Sequence, residues 1–331
     1  MRALACLVLL LVLGACAPLQ HQAGVVPPGF AGPRLEPYAI IASDGVRLPL
    51  DVWPARDANG VEVEPWAVII GLHGMNDYAE TFRPPATLWA VQGITTWAYD
   101  QRGFGRGEGR GVWGNAALMR DDLRCAVTFA RARHPHALIA VVGESMGGAV
   151  AITAFASDHP PAAADRLVLV SPAVWGWGEQ PVLNNAALWI AAHTVPDKAV
   201  TAPAWVTRRI RASDNIEMLR RLGRDRNMIF ATRVDAIFGL VSLMSEAQAK
   251  IGAVKGPVLL LSGAHDQVIP PRAMRKAAAK LPAGARTAFY SSGYHMLTRD
   301  RQGDIVSADI AAWLRDPAAP LPSGAVPMPK P

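Results

Sequence analysis

Residues 137–151 read Ala-Leu-Ile-Ala-Val-Val-Gly-Glu-Ser-Met-Gly-Gly-Ala-Val-Ala. The apolar run Leu138–Val142 meets Gly143-x-Ser145-x-Gly147 and passes directly into small, helix-compatible residues. This pattern predicts a strand, a sharp turn carrying a serine, and a helix. Glycines on both sides of Ser145 remove side chains that would collide where strand and helix cross, which leaves the hydroxyl standing above the end of a sheet. G-x-S-x-G alone arises by chance, and here its strand and helix flanks make it specific.

Outward from this turn, apolar runs recur at Trp66–Leu72, Ile94–Tyr99, Leu167–Val170, Val258–Leu261 and Thr287–Tyr290. Helical patterns separate them at Pro85–Gln92, Ala116–Arg133, Met146–Ser157, Arg272–Lys280 and Asp304–Leu314. Strands apolar on both sides and alternating with helices predict an α/β fold with a mostly parallel central sheet covered on both faces. Ahead of them, Tyr38–Ala42 and Val46–Trp53 flank Ser43-Asp44-Gly45, a hairpin signal. The interval 173–255 breaks the alternation. It shows helical patterns and Trp175, Trp177, Trp189 and Trp205 but no strand signal, and reads as a helical cap over the strand ends, where ligands bind in open α/β sheets. The core thus comprises 38–172 and 256–316.

A serine hydroxyl is a weak nucleophile until a base takes its proton, and the base works best when a carboxylate orients it. Where the serine stands on such an elbow of an α/β-hydrolase sheet, the acid and then the histidine follow in the chain, each on a loop after a strand. Of eight histidines, only His295 lies beyond the last candidate acid, after the strand Thr287–Tyr290. The preceding strand leads into Ser262-Gly263-Ala264-His265-Asp266, which makes Asp266 the acid and leaves His265 a structural role. Two backbone amides are expected to hold the developing oxyanion. One is Met146, next to the serine. The other is Met75 in His73-Gly74-Met75-Asn76, with Gly74 allowing close approach and His73 organising the loop.

Together, His73-Gly74, Asp100-Gln101-Arg102-Gly103-Phe104-Gly105, Gly143-Glu144-Ser145-Met146-Gly147-Gly148, Gly263-Ala264-His265-Asp266 and Gly293-Tyr294-His295 resemble the monoacylglycerol lipase/lysophospholipase family of α/β-hydrolases. The resemblance covers nearly all of 38–315. It implies hydrolysis of esters with one acyl chain through an acyl-serine, without metal or organic cofactor. Some proteins of this appearance are serine aminopeptidases, which keeps peptide substrates as the alternative. Acyl transfer to an alcohol and a non-catalytic lipid-binding role are the other readings of the same residues.

At the N-terminus, Arg2 precedes an unbroken apolar run, Ala3–Leu13, then Leu13-Gly14-Ala15-Cys16. The run is short for a membrane span and reads as a secretory signal over 1–15. The tetrapeptide resembles the lipobox of bacterial lipoproteins, so Cys16 is expected to be acylated and to hold the chain on a membrane of the bacterial cell envelope. Residues 16–37 then read as a tether and the proline-rich 317–331 as a disordered tail. Cys125, the one remaining cysteine outside the apolar run, sits in a helical apolar pattern and reads as packing.

In 331 residues, 51% hydrophobic and 18% charged, the net charge of +6 is scattered. Nucleic acid is therefore not an expected partner, and no obligate protein partner is evident. Gly109-x-Gly111-x-x-Gly114 lies too far past its strand to be a dinucleotide fingerprint. His134-Pro135-His136 lacks further ligands at metal spacing. The segment Arg208–Arg233 carries eight arginines against Asp214, Glu217 and Asp225. It reads as a solvated helix face or as a surface for anionic lipid headgroups.

Overall fold

The computed structural model describes residues 18–26, 28–203 and 209–330. Residues 1–15, read as a signal, together with Cys16 and Trp205, lie outside the described residues. Nine strands, β1 (Arg34–Glu36), β2 (Ala39–Ile41), β3 (Arg47–Trp53), β4 (Ala67–Leu72), β5 (Ile94–Tyr99), β6 (Leu138–Glu144), β7 (Arg166–Val170), β10 (Val258–Gly263) and β11 (Arg286–Tyr290), form one sheet. Their order is β1-β2-β3-β5-β4-β6-β7-β10-β11. From β5 to β11 every pairing is parallel, whereas β1, β2 and β3 join antiparallel at one edge. This is the α/β-hydrolase architecture.

Side-chain alternation along each strand builds two cores. Val68, Ile70 and Leu72 of β4 and Val141 of β6 face α2 (Ala116–Arg133) and α3 (Met146–Phe155). Ala67, Ile69, Ala140 and Val142 face α1 (Arg83–Ala90) and α8 (Gly303–Arg315), where Trp89 and Trp313 are buried. Apolar positions on both sides of these strands are what commit them to the interior of a parallel sheet. The hairpin forms as expected, with Gly45 at φ 82° and Val46 N–H bonded to Asp44 Oδ1.

Between β7 and β10 lie α4 (Val182–Thr194), β8 (Ala199–Val200), α5 (Ile216–Leu222), β9 (Thr232–Arg233) and α6 (Val234–Lys250). Two expectations for 173–255 are corrected here. The β8–β9 pair is a strand pair, too short to leave any periodicity in the sequence. Helix α6, assigned to the cap, instead buries Val241, Leu243, Met244 and Ala247 in the same core as α3. Helix α7 (Pro271–Ala278) completes that face.

The two proline-rich segments also differ from expectation. Residues 317–330 are not a disordered tail: Leu321 is buried, Phe289 N–H bonds Val326 O at 2.8 Å, and Met328 N–H bonds Thr287 Oγ1. The segment lines the open edge of β11, whose unpaired backbone groups offer partners that need no apolar period. Within the expected tether, His21 N–H bonds Trp113 O, Gly24 N–H bonds Asp44 Oδ2, and residues 34–36 are β1. Cys125 is half-buried in α2, and burial pushes its thiol up, consistent with packing. Among the described residues no helix is long and apolar enough to cross a membrane.

Candidate active site

At the C-terminal end of β6 the chain reverses into α3 within one residue, and Ser145 takes φ 52°, ψ −115°. That left-handed conformation is strained for a residue with a side chain. The flanking glycines permit it. A Cβ on Gly147 would lie 2.1 Å from Leu72 O, and one on Gly143 would lie 2.7 Å from Gly147 O. The turn is pinned to its neighbours by Ser145 N–H bonding Val170 O at 3.0 Å and by Ala173 N–H bonding Ser145 O at 2.9 Å. Ser145 stays only half-buried.

Asp266 follows β10 and His295 follows β11, so both arrive at the same end of the sheet as Ser145. Asp266 Oδ1 accepts from the N–H groups of Val268 and Ile269 at 2.8 and 3.0 Å. Its Oδ2 faces His295 Nδ1 at 2.9 Å. A carboxylate on Nδ1 makes that nitrogen the donor, which leaves the lone pair on Nε2. His295 is buried, and burial alone disfavours its charged form. Asp266, and then Glu144, override this and raise its pKa above the ordinary imidazole value.

The loop after β4 lies against the serine, since a Cβ on Gly74 would come within 3.3 Å of Ser145 Cβ. His73 organises that loop. Its Nδ1 faces Gly74 O at 2.8 Å, while its Nε2 accepts from Gln101 N–H at 2.9 Å. One nitrogen must donate and the other accept, and burial lowers its pKa, so His73 is a neutral strut. Asn76 closes the loop at φ 65° and reaches Thr232 Oγ1 at 2.7 Å. The Met75 and Met146 amides make no hydrogen bond among the described residues. Met146 is moreover the first residue of α3, where orphan N–H groups and the helix dipole favour negative charge.

Two features escaped the reading of the sequence. Buried Asp300 accepts from Ser213 Oγ at 2.6 Å and from Tyr294 N–H at 2.7 Å, and burial pushes its carboxyl up to about 6. It thereby ties the histidine loop to the cap. Arg299, also buried, reaches Asp77 and Glu144. The remaining motif residues are structural. Arg102 bridges Asp44 and Asp122, and Asp100 accepts from Ala79 N–H and Arg106. His265 stacks on Tyr294, and Gly109, Gly111 and Gly114 lie in turns and loop. No cluster of potential metal ligands occurs among the described residues.

Residues 63–302 match the family described as serine aminopeptidase, S33. The chain belongs to that family. A monoacylglycerol lipase of Mycolicibacterium smegmatis is 24% identical over 293 residues, which covers 84% of this chain and 96% of that protein. Among solved structures, a soluble variant of the Saccharomyces cerevisiae monoglyceride lipase superposes with TM-score 0.70 at 16% identity. That alignment covers 94% of this chain and all of that one (100%). The Paleococcus ferrophilus monoacylglycerol lipase gives TM-score 0.63 at 18% identity, covering 81% and 98%. Matches at this level establish the α/β-hydrolase fold.

Proposed function

We propose that the chain is a serine hydrolase that cleaves carboxylic esters of lipids with a single acyl chain, monoacylglycerols or lysophospholipids. The observation that carries the reading is that Ser145, Asp266 and His295 stand on loops after β6, β10 and β11 at the same end of the sheet, with the Asp266 carboxylate on His295 Nδ1, which leaves Nε2 free to act as a base. Ser145 Oγ attacks the ester carbonyl as His295 Nε2 takes its proton, and Asp266 stabilises the imidazolium. The Met75 and Met146 amides hold the oxyanion. His295 returns the proton to the leaving alcohol, and water then releases the acid from the acyl-serine by the same steps reversed.

The lipid substrate is supported by the named activity of the mycobacterial relative and by the cap. Val182 and Leu183 are 80% and 83% exposed on α4 and Ile190 is 56% exposed, while Leu188 packs inward. An apolar helix face left in water on the segment between β7 and β10 suits a substrate drawn from a lipid surface. An aminopeptidase would need a free carboxylate for the substrate ammonium. Glu144 and Asp77, which flank the serine and the donor loop, are both taken by Arg299. Acylation of Cys16 would keep the enzyme on a membrane of the cell envelope.

The test is fluorophosphonate labelling followed by an ester panel. Wild type should label at Ser145 and turn over monoacylglycerols or lysophospholipids with higher kcat/KM than triacylglycerols or aminoacyl anilides. Preference for the anilides would replace the lipid reading with the peptidase. Radioactive palmitate should enter the wild type and not Cys16→Ser; equal labelling removes the anchor.

A further inference from the structure

Arg299 lies four residues beyond His295, at the end of the short turn Leu297–Arg299, and its side chain is 3% exposed. Its Nη2 bonds Glu144 Oε1, on the residue that immediately precedes Ser145. Its Nη1 lies 2.8 Å from Asp77 Oδ2, two residues past Met75. Asp77 is itself held at the start of its turn, where Oδ1 accepts from Tyr78 N–H at 2.9 Å and Oδ2 from Thr81 Oγ1 at 3.1 Å. The Arg299 carbonyl accepts from Asn215 of the cap, and its N–H is bonded to Met296 O at 2.8 Å. One guanidinium therefore touches the serine elbow and the donor loop, while its own backbone is part of the histidine loop.

We infer that Arg299 is a positioning residue for ester hydrolysis, locking the histidine loop, the serine elbow and the oxyanion-donor loop into one register through Glu144 and Asp77. The inference rests on the proposed hydrolase reading and adds to it a fourth buried element that sets the geometry of the other three.

Stability alone is a poor reason for such an arrangement. Desolvation of a buried Arg between two carboxylates offsets most of their attraction, and apolar replacements are often as stable. The geometry is also imperfect as packing. Nη1 approaches Asp77 without hydrogen-bond alignment, and Nε has no acceptor among the described residues. What the triad supplies is direction. Glu144 ends β6 while Asp77 and Arg299 lie on loops, no strand pairing joins the three to one another, and a rigid planar fork fixes two acids in a set relation where a freely rotating ammonium does not. Charge balance is a second consequence. The charged groups that act on His295 are Asp266 and Glu144, which raise its pKa, and Arg299, which lowers it. Burial works against the cation, but Glu144 and Asp77 keep Arg299 charged.

The test uses the full-length protein and Arg299→Lys, Arg299→Met, Arg299→Met/Glu144→Gln and Glu144→Gln. Melting temperature, kcat and KM on a short nitrophenyl ester, the fluorophosphonate inactivation rate and the pH profile of kcat/KM are measured for each. Labelling of wild type at Ser145 checks the hydrolase reading separately. Arg299→Lys should fold, keep KM within about threefold and lose roughly 30- to 100-fold in both kcat and inactivation rate, the scale of an ångström misplacement. Arg299→Met should move the acid limb of the profile to higher pH, and the charge-balanced double variant should bring it back towards wild type. Glu144→Gln alone should move that limb to lower pH. The inference is overturned if the folded fractions of the Arg299 variants keep wild-type kcat, inactivation rate and acid limb while only the melting temperature falls. Should the Arg299 variants not fold, an unmoved kcat and acid limb in Glu144→Gln overturns it equally.

Discussion

Replacing Asp266 by asparagine tests the site at its most constrained point. The native carboxylate is not free to turn, because Oδ1 accepts from Val268 N–H and Ile269 N–H while Oδ2 faces His295 Nδ1. An amide in the same place must present its oxygen to those two backbone donors, so its NH2 points at Nδ1. Nδ1 then becomes the acceptor and Nε2 carries the proton, which leaves no lone pair to receive the Ser145 proton. Recovering the productive tautomer requires turning the amide against two N–H groups, one buried and one partly buried, each worth about 1–3 kcal/mol when left unmade. The working arrangement therefore lies about 2–6 kcal/mol higher, equivalent to roughly 30- to 10⁴-fold in kcat at about 1.4 kcal/mol per decade. The assay is kcat on a short nitrophenyl ester across pH, with melting temperature as the control, since the substitution is isosteric. Neutral His295 is the active form and its pKa is raised by Asp266, so wild-type kcat/KM should fall as pH drops through a value above the ordinary imidazole pKa. In the variant that acid limb should move to lower pH. An unmoved limb together with less than about tenfold loss would refute the orientation argument and transfer the acid role to Asp300 or Asp304.

Further outcomes follow from the same geometry. Ser145→Gly should abolish esterase activity and fluorophosphonate labelling while raising stability by about 1 kcal/mol, because glycine relieves the φ of 52°; denaturant titration checks the sign. Gly147→Ala, whose Cβ would meet Leu72 O at 2.1 Å, should lose about 3 kcal/mol, the upper end of the overpacking range, and most activity, measured by melting and initial rates. Deleting 317–331 should destabilise the protein by about 2–4 kcal/mol through the lost burial of Leu321 and the lost bonds to Phe289 and Thr287; an unchanged melting temperature would show that the segment does not pack on β11. Asp300 titrates near 6 when folded, so it binds its proton more tightly folded than unfolded. Its contribution should make stability fall as pH rises from about 4 to 6, and Asp300→Asn should flatten that slope in melting curves taken across the window.

Ser145, Asp266 and His295 were legible in the sequence because each follows a strand whose apolar residues show on both sides, and because the chain order of the three leaves almost no choice among eight histidines. His73 was legible as a loop organiser by its position beside Gly74. Arg299, Glu144 and Asp77 were not. Arg299 and Glu144 meet across 155 residues of chain, and although Glu144 sits inside the elbow motif, nothing in the sequence pairs it with Arg299. The tail and α6 failed for related reasons. A proline-rich segment shows no period, and whether it packs depends on whether β11 leaves an edge open. A helix with apolar residues on more than one side joins cap or core according to which surface is offered to it.

Sequence alone thus determined the alternation of strands and helices, the elbow and the order of the three candidate catalytic residues, since local propensity and steric exclusion act within a few residues of each. Tertiary structure alone decided which buried charges face one another, where the cap ends, what covers the edge of the sheet, and the tautomer of His295. Those depend on pairings between distant segments, and a pairing energy exists only once both partners have been brought to the same place.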